Sequence, residues 1–459
     1  MDTLITNATI VTGEAAQPII EDGAILVRDD RIAAVGDTAT LLAAHPQAAR
    51  HDGRGKAVLP GLINSHTHTV LTILRATVED MEGNAVYGYM VPITLSMTAE
   101  ERRAMVNLGA LEAIRSGTTT LVESNRHVPD YAGYLVPTGL RLVFSELCTD
   151  ALINQVRRGE YTYDKDRGKE YLDRATQLIE ELHGAENGRV EVQVASHATD
   201  NCSPWMLEKL LTLAHKHGLR RNVHLAQSPL ELQQVKRLCG GTPAEYLKQN
   251  DWLDDELIGA HWTWCTEADI DLLAEHGVHM AHCPANSSRR GPHRANVARI
   301  RDAGVNIVLG TDNMTEDMFQ ALKIGLIVHR GSYEGGGIEP QPEEMLATAT
   351  RNGARALGRE DDLGSIAVGK KADLTLLKLG PNLRPVINLV SAIVHYGHPG
   401  NVDGVMVNGE FLMRDGKVLA MEEDQVMADA ESAARAVWTR LMDQSPDIAP
   451  PRGAVWLQR

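Results

Sequence analysis

The sequence predicts an α/β protein, a distorted TIM-like (β/α)8 barrel with a smaller β-sandwich domain built from both chain ends. Three observations predict it. From Val58 onward, short apolar runs alternate with stretches of helical spacing such as Ala99 to Ser116, the order expected of parallel strands joined by crossover helices. The apolar runs that read as strands end at Asn64, Glu123, Phe144, His197, His224, His261, His282 and Asp312, enough for a closed barrel. The two ends of the chain follow another rhythm, with short strand-like runs broken by turns.

In chain order, residues 1–57 form the N-terminal part of the sandwich, with strands over Thr3 to Val11 and Ala24 to Val35. Residues 58–362 form the barrel. Residues 363–425 return to the sandwich through Ala372 to Leu377 and Val402 to Phe411, the latter carrying an Asn408-Gly409 turn signal. Residues 426–459 supply a helix over Met427 to Met442 and a Pro-rich tail. The 459 residues suffice for a barrel of roughly 250 residues plus a second domain.

Composition narrows the class of function. A formal charge of −16 without a basic patch argues against nucleic acid or an anionic membrane as partner. No apolar run is long enough to span a bilayer and Met1-Asp2-Thr3-Leu4 does not open a signal peptide, so a cytoplasmic protein is expected. Cys148, Cys202, Cys239, Cys265 and Cys283 form no CxxC pair, so reduced thiols are expected.

The chemistry concentrates at strand ends. His66 and His68 sit two apart after the run Leu59 to Asn64, which alternation places on one face. Asn222-Val223-His224, Gly259-Ala260-His261 and Leu309-Gly310-Thr311-Asp312 each put a polar residue at the end of its own run. A lone histidine there is more often a packed core residue, but several in barrel order after His-x-His argue for a site. Three imidazoles and a carboxylate, His66, His68, His224 and Asp312, suit one divalent ion with a position left for water. The ion would lower that water's pKa. Asp312 could also accept the water's proton, and His261 could hydrogen-bond the nucleophile or the developing oxyanion.

These segments, with Val58 to His68, Ser116-Gly117-Thr118-Thr119-Thr120, Ser196-His197-Ala198, His224-Leu225-Ala226-Gln227, Ala260-His261-Trp262, Ala281-His282-Cys283-Pro284, Gly310-Thr311-Asp312 and Gly364 to Leu374, resemble the amidohydrolase superfamily over nearly the whole chain. The similar branch contains methylthioadenosine and S-adenosylhomocysteine deaminases, cytosine and guanine deaminases and triazine hydrolases. The resemblance implies a mononuclear centre on His66, His68, His224 and Asp312, since Ala195-Ser196-His197 offers no bridging lysine. It implies water assistance by His261, substrate contact by His197 and a homo-oligomer, dimer or higher. Zinc is the first expectation, and the N/O donor set also admits iron, cobalt or manganese.

The chain departs from that pattern at Gln227, where the deaminases carry a glutamate that shuttles a proton. An amide cannot deliver a titratable proton, so Gln227 marks either an altered deaminase or a change of reaction. Glu231, four residues on, is a candidate replacement acid against the favoured reading of a solvated residue of the following helix. Glu316 and Asp317 read as acids complementing a helix N-terminus. Arg289, in the loop Ser287 to His293, is a candidate substrate contact against the alternative of an exposed charge. Tyr87 to Pro92 occupies a lid position. Trp262 is expected, with Trp264, to wall an apolar pocket.

The expected function is therefore metal-dependent hydrolysis of a non-peptide C–N bond in a small, uncharged heterocycle or xenobiotic, releasing ammonia or an amine. Amide, carbamate or urea hydrolysis at the same centre is the alternative, and a non-catalytic ligand-binding scaffold stands behind both.

Overall fold

In the computed structural model, the described residues are 2–79, 86–156, 158–289, 294–331, 338–445, 450–451, 453–454 and 457. Two sheets organise them. The first is mixed and takes strands from both chain ends, in the order Lys417–Val418, Glu410–Arg414, Val402–Val407, Leu374–Lys378, Lys56–Pro60, Thr3–Val11, Ile19–Arg28 and Arg31–Asp37, with Ala49–Asp52 beside Thr3–Val11. Val58 to Pro60, expected in the barrel, belongs to this sheet, because Lys56–Pro60 pairs antiparallel with Leu374–Lys378. That pairing stitches the late segment to the early one.

The second sheet is the barrel. Its parallel strands are Leu62–Thr67, Thr118–Asn125, Arg141–Cys148, Val194–Ala198, Arg221–Leu225, Leu257–His261, His279–His282 and Ile307–Leu309, hydrogen-bonded in chain order. Several ends differ from the sequence reading, among them the second, which runs past Glu123 to Asn125. The first strand runs past Asn64 to Thr67, the third past Phe144 to Cys148, and the eighth stops at Leu309 before Asp312. Polar residues inside the longer strands disguise their length: Glu146 is buried yet satisfied, accepting the backbone N–H groups of His127 and Val128 at 2.9 and 2.7 Å.

The barrel closes where its first and eighth strands meet. Asp312 N donates to His66 O at 2.9 Å and His68 N to Asp312 O at 3.0 Å, so backbone bonds draw three candidate ligands together. Gly310 permits this approach, since a Cβ there would lie 2.7 Å from His66 O. Below the site the barrel interior is filled by Ile63, Val122, Val143, Ile258, Ala260, Ala281 and Val308. It is a packed core with chemistry only at the strands' C-terminal ends.

The helix Ala99–Arg115 begins in a capping box between Thr98 and Glu101. The C-terminal helix, expected over Met427 to Met442, spans Glu423–Gln444 and packs against Ala99–Arg115, held by Arg440 to Glu101 and Arg115 to Glu423. The tail beyond it falls largely outside the described residues. No helix among them is long and apolar enough to cross a membrane.

Candidate metal centre and substrate cavity

Five side chains converge at the barrel mouth. His66, His68 and His224 present ring nitrogens within 4.8 Å of one another, and His66, His261 and Asp312 meet the same limit. His68 Nε2 lies 3.3 Å from Asp312 Oδ1 and 3.4 Å from His224 Nε2, while His66 Nε2 stands 4.0 Å from Asp312 Oδ1 and His261 Nε2 3.9 Å from Oδ2. His261 (φ 83°) and Asp312 (φ 66°) adopt left-handed backbone conformations, as does Ala226 (φ 50°) beside Gln227. Such strain costs about 1–3 kcal/mol per residue and gathers where geometry is imposed for function.

Neighbouring groups fix the rings. His224 Nδ1 bonds the His197 carbonyl at 2.5 Å and His68 Nδ1 bonds the Ser124 carbonyl. A carbonyl only accepts, so each Nδ1 carries the proton and each Nε2 lone pair faces the centre, the tautomer a metal requires. His66 Nε2 is buried with no hydrogen-bond partner at all. A buried polar atom left so is costly unless something binds it. The residues therefore fit a divalent ion bound by nitrogen and carboxylate oxygen.

Electrostatics agree at two of the three rings, while at His68 burial is outweighed by the hydrogen bond and charge of Asp312, which raise the imidazole. Burial, then the neighbouring His68 and His224, holds His66 well below the usual imidazole range, and burial with His261 and His68 holds His224 at about 3. Both are neutral ligands near pH 7. Burial would push the Asp312 carboxyl up, but hydrogen bonding from His68 and its electrostatic interaction with the neighbouring imidazoles outweigh it and hold Asp312 well below the carboxylate range. Asn286 donates to Asp312 Oδ2, and Asn313 Nδ2 to Oδ1 at 3.0 Å, which fixes the carboxylate's orientation.

Above the centre lies a cavity of 390 Å³. His197, Gln227, Trp264, Tyr87, Asn125 and Arg126 line it with His68, His224, His261 and Asp312. Asp312 is the only carboxylate among the described lining residues. His197 Nδ1 faces the amide nitrogen of Asn201, which leaves the ring proton on Nε2, and burial keeps the ring neutral.

Two expected contacts lie elsewhere. Trp262 does not line the cavity: its backbone turns left-handed (φ 54°) and sends the indole into the core against Gly259, and Trp264 takes its place at the wall. Arg289 is exposed and donates to Gln320 at 3.1 Å, outside the lining, while Arg290 to His293 lie outside the described residues. Glu231 is not solvated. It is buried and accepts from Thr199 Oγ1 at 2.5 Å, Ala226 N at 3.0 Å and Gln227 N at 2.7 Å, so it anchors the loop that presents Gln227. Burial, then the charge of Asp200, pushes its carboxyl up to about 8. Asp317 does cap the following helix, accepting from Gln320 N at 3.0 Å, but Glu316 turns inward and is fully buried.

Sequence reasoning missed Asn286, Asn125 and Arg126. Asn286 follows Cys283-Pro284 by two residues, a detectable polar position just past the seventh strand. Asn125 and Arg126 were hidden because the second strand was ended two residues early, at Glu123.

Residues 57–412 match a model described as the amidohydrolase family, and residues 23–48 match an imidazolonepropionase-like composite domain of bacteria. The chain is 33% identical to a 5'-deoxyadenosine deaminase of Methanothermobacter thermautotrophicus, covering 90% of this chain and 95% of that protein. It is 32% identical to a 5-methylthioadenosine/S-adenosylhomocysteine deaminase of Moorella thermoacetica, covering 93% and 97%. Among solved structures, a zinc-bound adenosine deaminase from Xanthomonas campestris superposes with a TM-score of 0.84 at 25% identity, covering 95% of this chain and 99% of that one. A triazine hydrolase variant superposes with a TM-score of 0.85 at 23% identity over 94% and 99%, a likeness of fold.

Proposed function

We propose a working site from the premise that the chain belongs to the amidohydrolase family. It is a metal-dependent enzyme that hydrolyses a non-peptide C–N bond in a small heterocyclic molecule with an activated water. His66, His68, His224 and Asp312 are proposed to hold one ion, zinc before iron, cobalt or manganese. The observation that carries this reading is His66 Nε2, buried and without a partner inside a ring of oriented donors. When bound, the ion supplies Lewis acidity and lowers the pKa of a water.

The remaining work falls to side chains. Asp312, ionised at neutral pH and steered by Asn286 and Asn313, accepts the water's proton. His261, beside Asp312, hydrogen-bonds the attacking oxygen or the charge developing at the substrate carbon. His197 offers an Nε2–H from the cavity wall to a ring nitrogen or oxygen of the substrate. Loss of the amine follows delivery to the leaving nitrogen of the proton that Asp312 took from the water, with Gln227 supplying hydrogen bonds but no proton of its own.

The deaminases to which the chain is similar favour a ring-amine substrate that releases ammonia. Gln227, with no second carboxylate at the described cavity wall, supports amide, carbamate or urea hydrolysis as a second reading. Assaying metal-analysed protein against aminated purines, pterins and triazines and against ureas, amides and carbamates, with ammonia, amine and carboxylate followed separately, decides between them. Ammonia from ring amines is expected. Turnover confined to the second group would replace the first reading with the second.

Gln227→Glu is expected to raise kcat/KM on aminated N-heterocycles about tenfold or more, since a positioned acid–base group contributes roughly 10²–10⁴-fold. It should also add an ionisation to the pH–rate profile that the parent lacks. An unchanged rate and profile would remove residue 227 from proton transfer. A homo-oligomer is also part of the proposal, and sedimentation at working concentration tests it.

A further inference from the structure

We propose that Arg126, with Asn125, forms an anion-binding subsite in this cavity, so that the substrate is a heterocycle bearing a carboxylate remote from the bond that breaks. The inference rests on the reading of this cavity as the substrate site and adds to it the substrate's charge.

Arg126 leaves the second barrel strand directly into the cavity wall. Its backbone is held from both sides: Arg126 N donates to Asn125 Oδ1 at 2.8 Å, and the next two N–H groups, of His127 and Val128, both donate to Glu146. The side chain is only 6% exposed, yet Nε and Nη2 are buried without a hydrogen-bond partner, and Asn125 Nδ2 beside it is equally unpartnered. No carboxylate lies within ion-pair distance of Arg126 among the described residues. Asp200 feels its charge, but Asp200 Oδ2 accepts from Tyr161 at 2.6 Å and the residue is not part of the cavity wall.

Asp200 Oδ1 is likewise buried without a partner, but it makes no ion pair with Arg126; a buried guanidinium whose Nε and Nη2 have no direct partner is destabilising, and it is retained where a ligand supplies one. Arginine presents a planar fork of N–H donors matched to a carboxylate. Asp312 is the only carboxylate at the described wall and faces the histidines of the metal centre, and Arg126 is the one described arginine or lysine lining the cavity, so no lining carboxylate is set against it. That arrangement favours a monoanion over the uncharged heterocycle expected from the sequence. A single arginine suits a carboxylate better than a phosphate dianion.

The test is equilibrium binding to the metal-loaded enzyme and to Arg126→Met and Arg126→Lys. The probes are pterin-6-carboxylate, pyridine-3-carboxylate and benzoate, each beside its carboxamide, with ammonia release read in the same samples. The parent should bind the carboxylates at least tenfold more tightly than the carboxamides. Arg126→Met should abolish that preference without weakening the carboxamides, and Arg126→Lys should keep part of it. The melting temperature of unliganded Arg126→Met should equal or exceed the parent's, and carboxylate should raise only the parent's. Equal binding of both series, no binding of any carboxylate into the millimolar range, a preference that survives Arg126→Met because the carboxylate sits at the metal centre, or a lowered melting temperature revealing a structural partner would each overturn the proposal. Ammonia release with no charge preference would leave the hydrolytic reading standing while this one fails.

Discussion

Asp312→Asn is expected to lower kcat by on the order of a thousandfold or more, the loss that follows removal of a positioned proton acceptor. The substitution keeps the shape of the side chain, so Asn286 and Asn313 still surround it, but one oxygen becomes an amide nitrogen that faces other donors. Two functions are lost together: the anionic oxygen near His66 and His68, and the acceptor near His261. Metal analysis of the purified variant separates them. A variant that retains about one ion per chain yet has lost activity identifies Asp312 as the proton acceptor, whereas a variant without metal recovers partially when the ion is supplied in excess. Activity within tenfold of the parent with metal retained would displace Asp312 from the reaction.

The histidines of this site were legible in the sequence because barrel geometry leaves them few places to go. A polar residue at the end of an apolar run, repeated strand after strand, is improbable unless the strand ends face one another. His66, His68, His224, His261 and Asp312 all obey that rule, and the structure brings all of them together. The residues that shape the cavity are less legible, because their position depends on how far a strand runs and which way a turn sends the next side chain. Arg126 is brought to the cavity because the second strand reaches Asn125 rather than ending at Glu123, whereas Arg289, in the loop after the seventh strand, is turned out to Gln320. Trp262 and Trp264 are two residues apart in one loop, yet a left-handed backbone at residues 261 and 262 sends the first into the core and leaves the second at the wall. Sequence spacing carries no sign of such a turn when the residue adopting it is not glycine. Glu231 and Glu316 share one lesson: an acid near a helix start reads as solvated or as complementing the helix N-terminus, and only the tertiary structure shows whether donors elsewhere in the chain claim it.

Glu316→Ala is expected to destabilise the protein by about 3–5 kcal/mol, because it strips the acceptor from several buried donors at roughly 1–3 kcal/mol each. Thr67 Oγ1 lies 2.7 Å from both carboxyl oxygens, while Asn64 Nδ2 donates to Oε2 at 2.9 Å and Thr311 Oγ1 to Oε2 at 3.2 Å. Asn64 and Thr67 lie on the first barrel strand and Thr311 follows the eighth, so this one carboxyl pins the seam on which His66, His68 and Asp312 meet. Denaturant midpoints should fall and metal content with them; a variant as stable as the parent would show that the backbone bonds alone close the barrel. Glu316→Gln offers a sharper test through pH. Burial, against the hydrogen bond from Thr67, pushes the Glu316 carboxyl well above its ordinary 4.5, so it holds its proton to higher pH in the folded protein than in the unfolded chain. Holding that proton costs nothing below the unfolded value near 4.5, and the cost grows as pH rises from there towards the raised folded value, since the unfolded chain alone ionises. Glutamine cannot ionise in either state. The stability of Glu316→Gln relative to the parent should therefore improve steadily as pH is raised from about 5 to 8. A difference that stays constant across that range, or moves the other way, would mean that the carboxyl is ionised where it lies and that its donors are arranged for an anion.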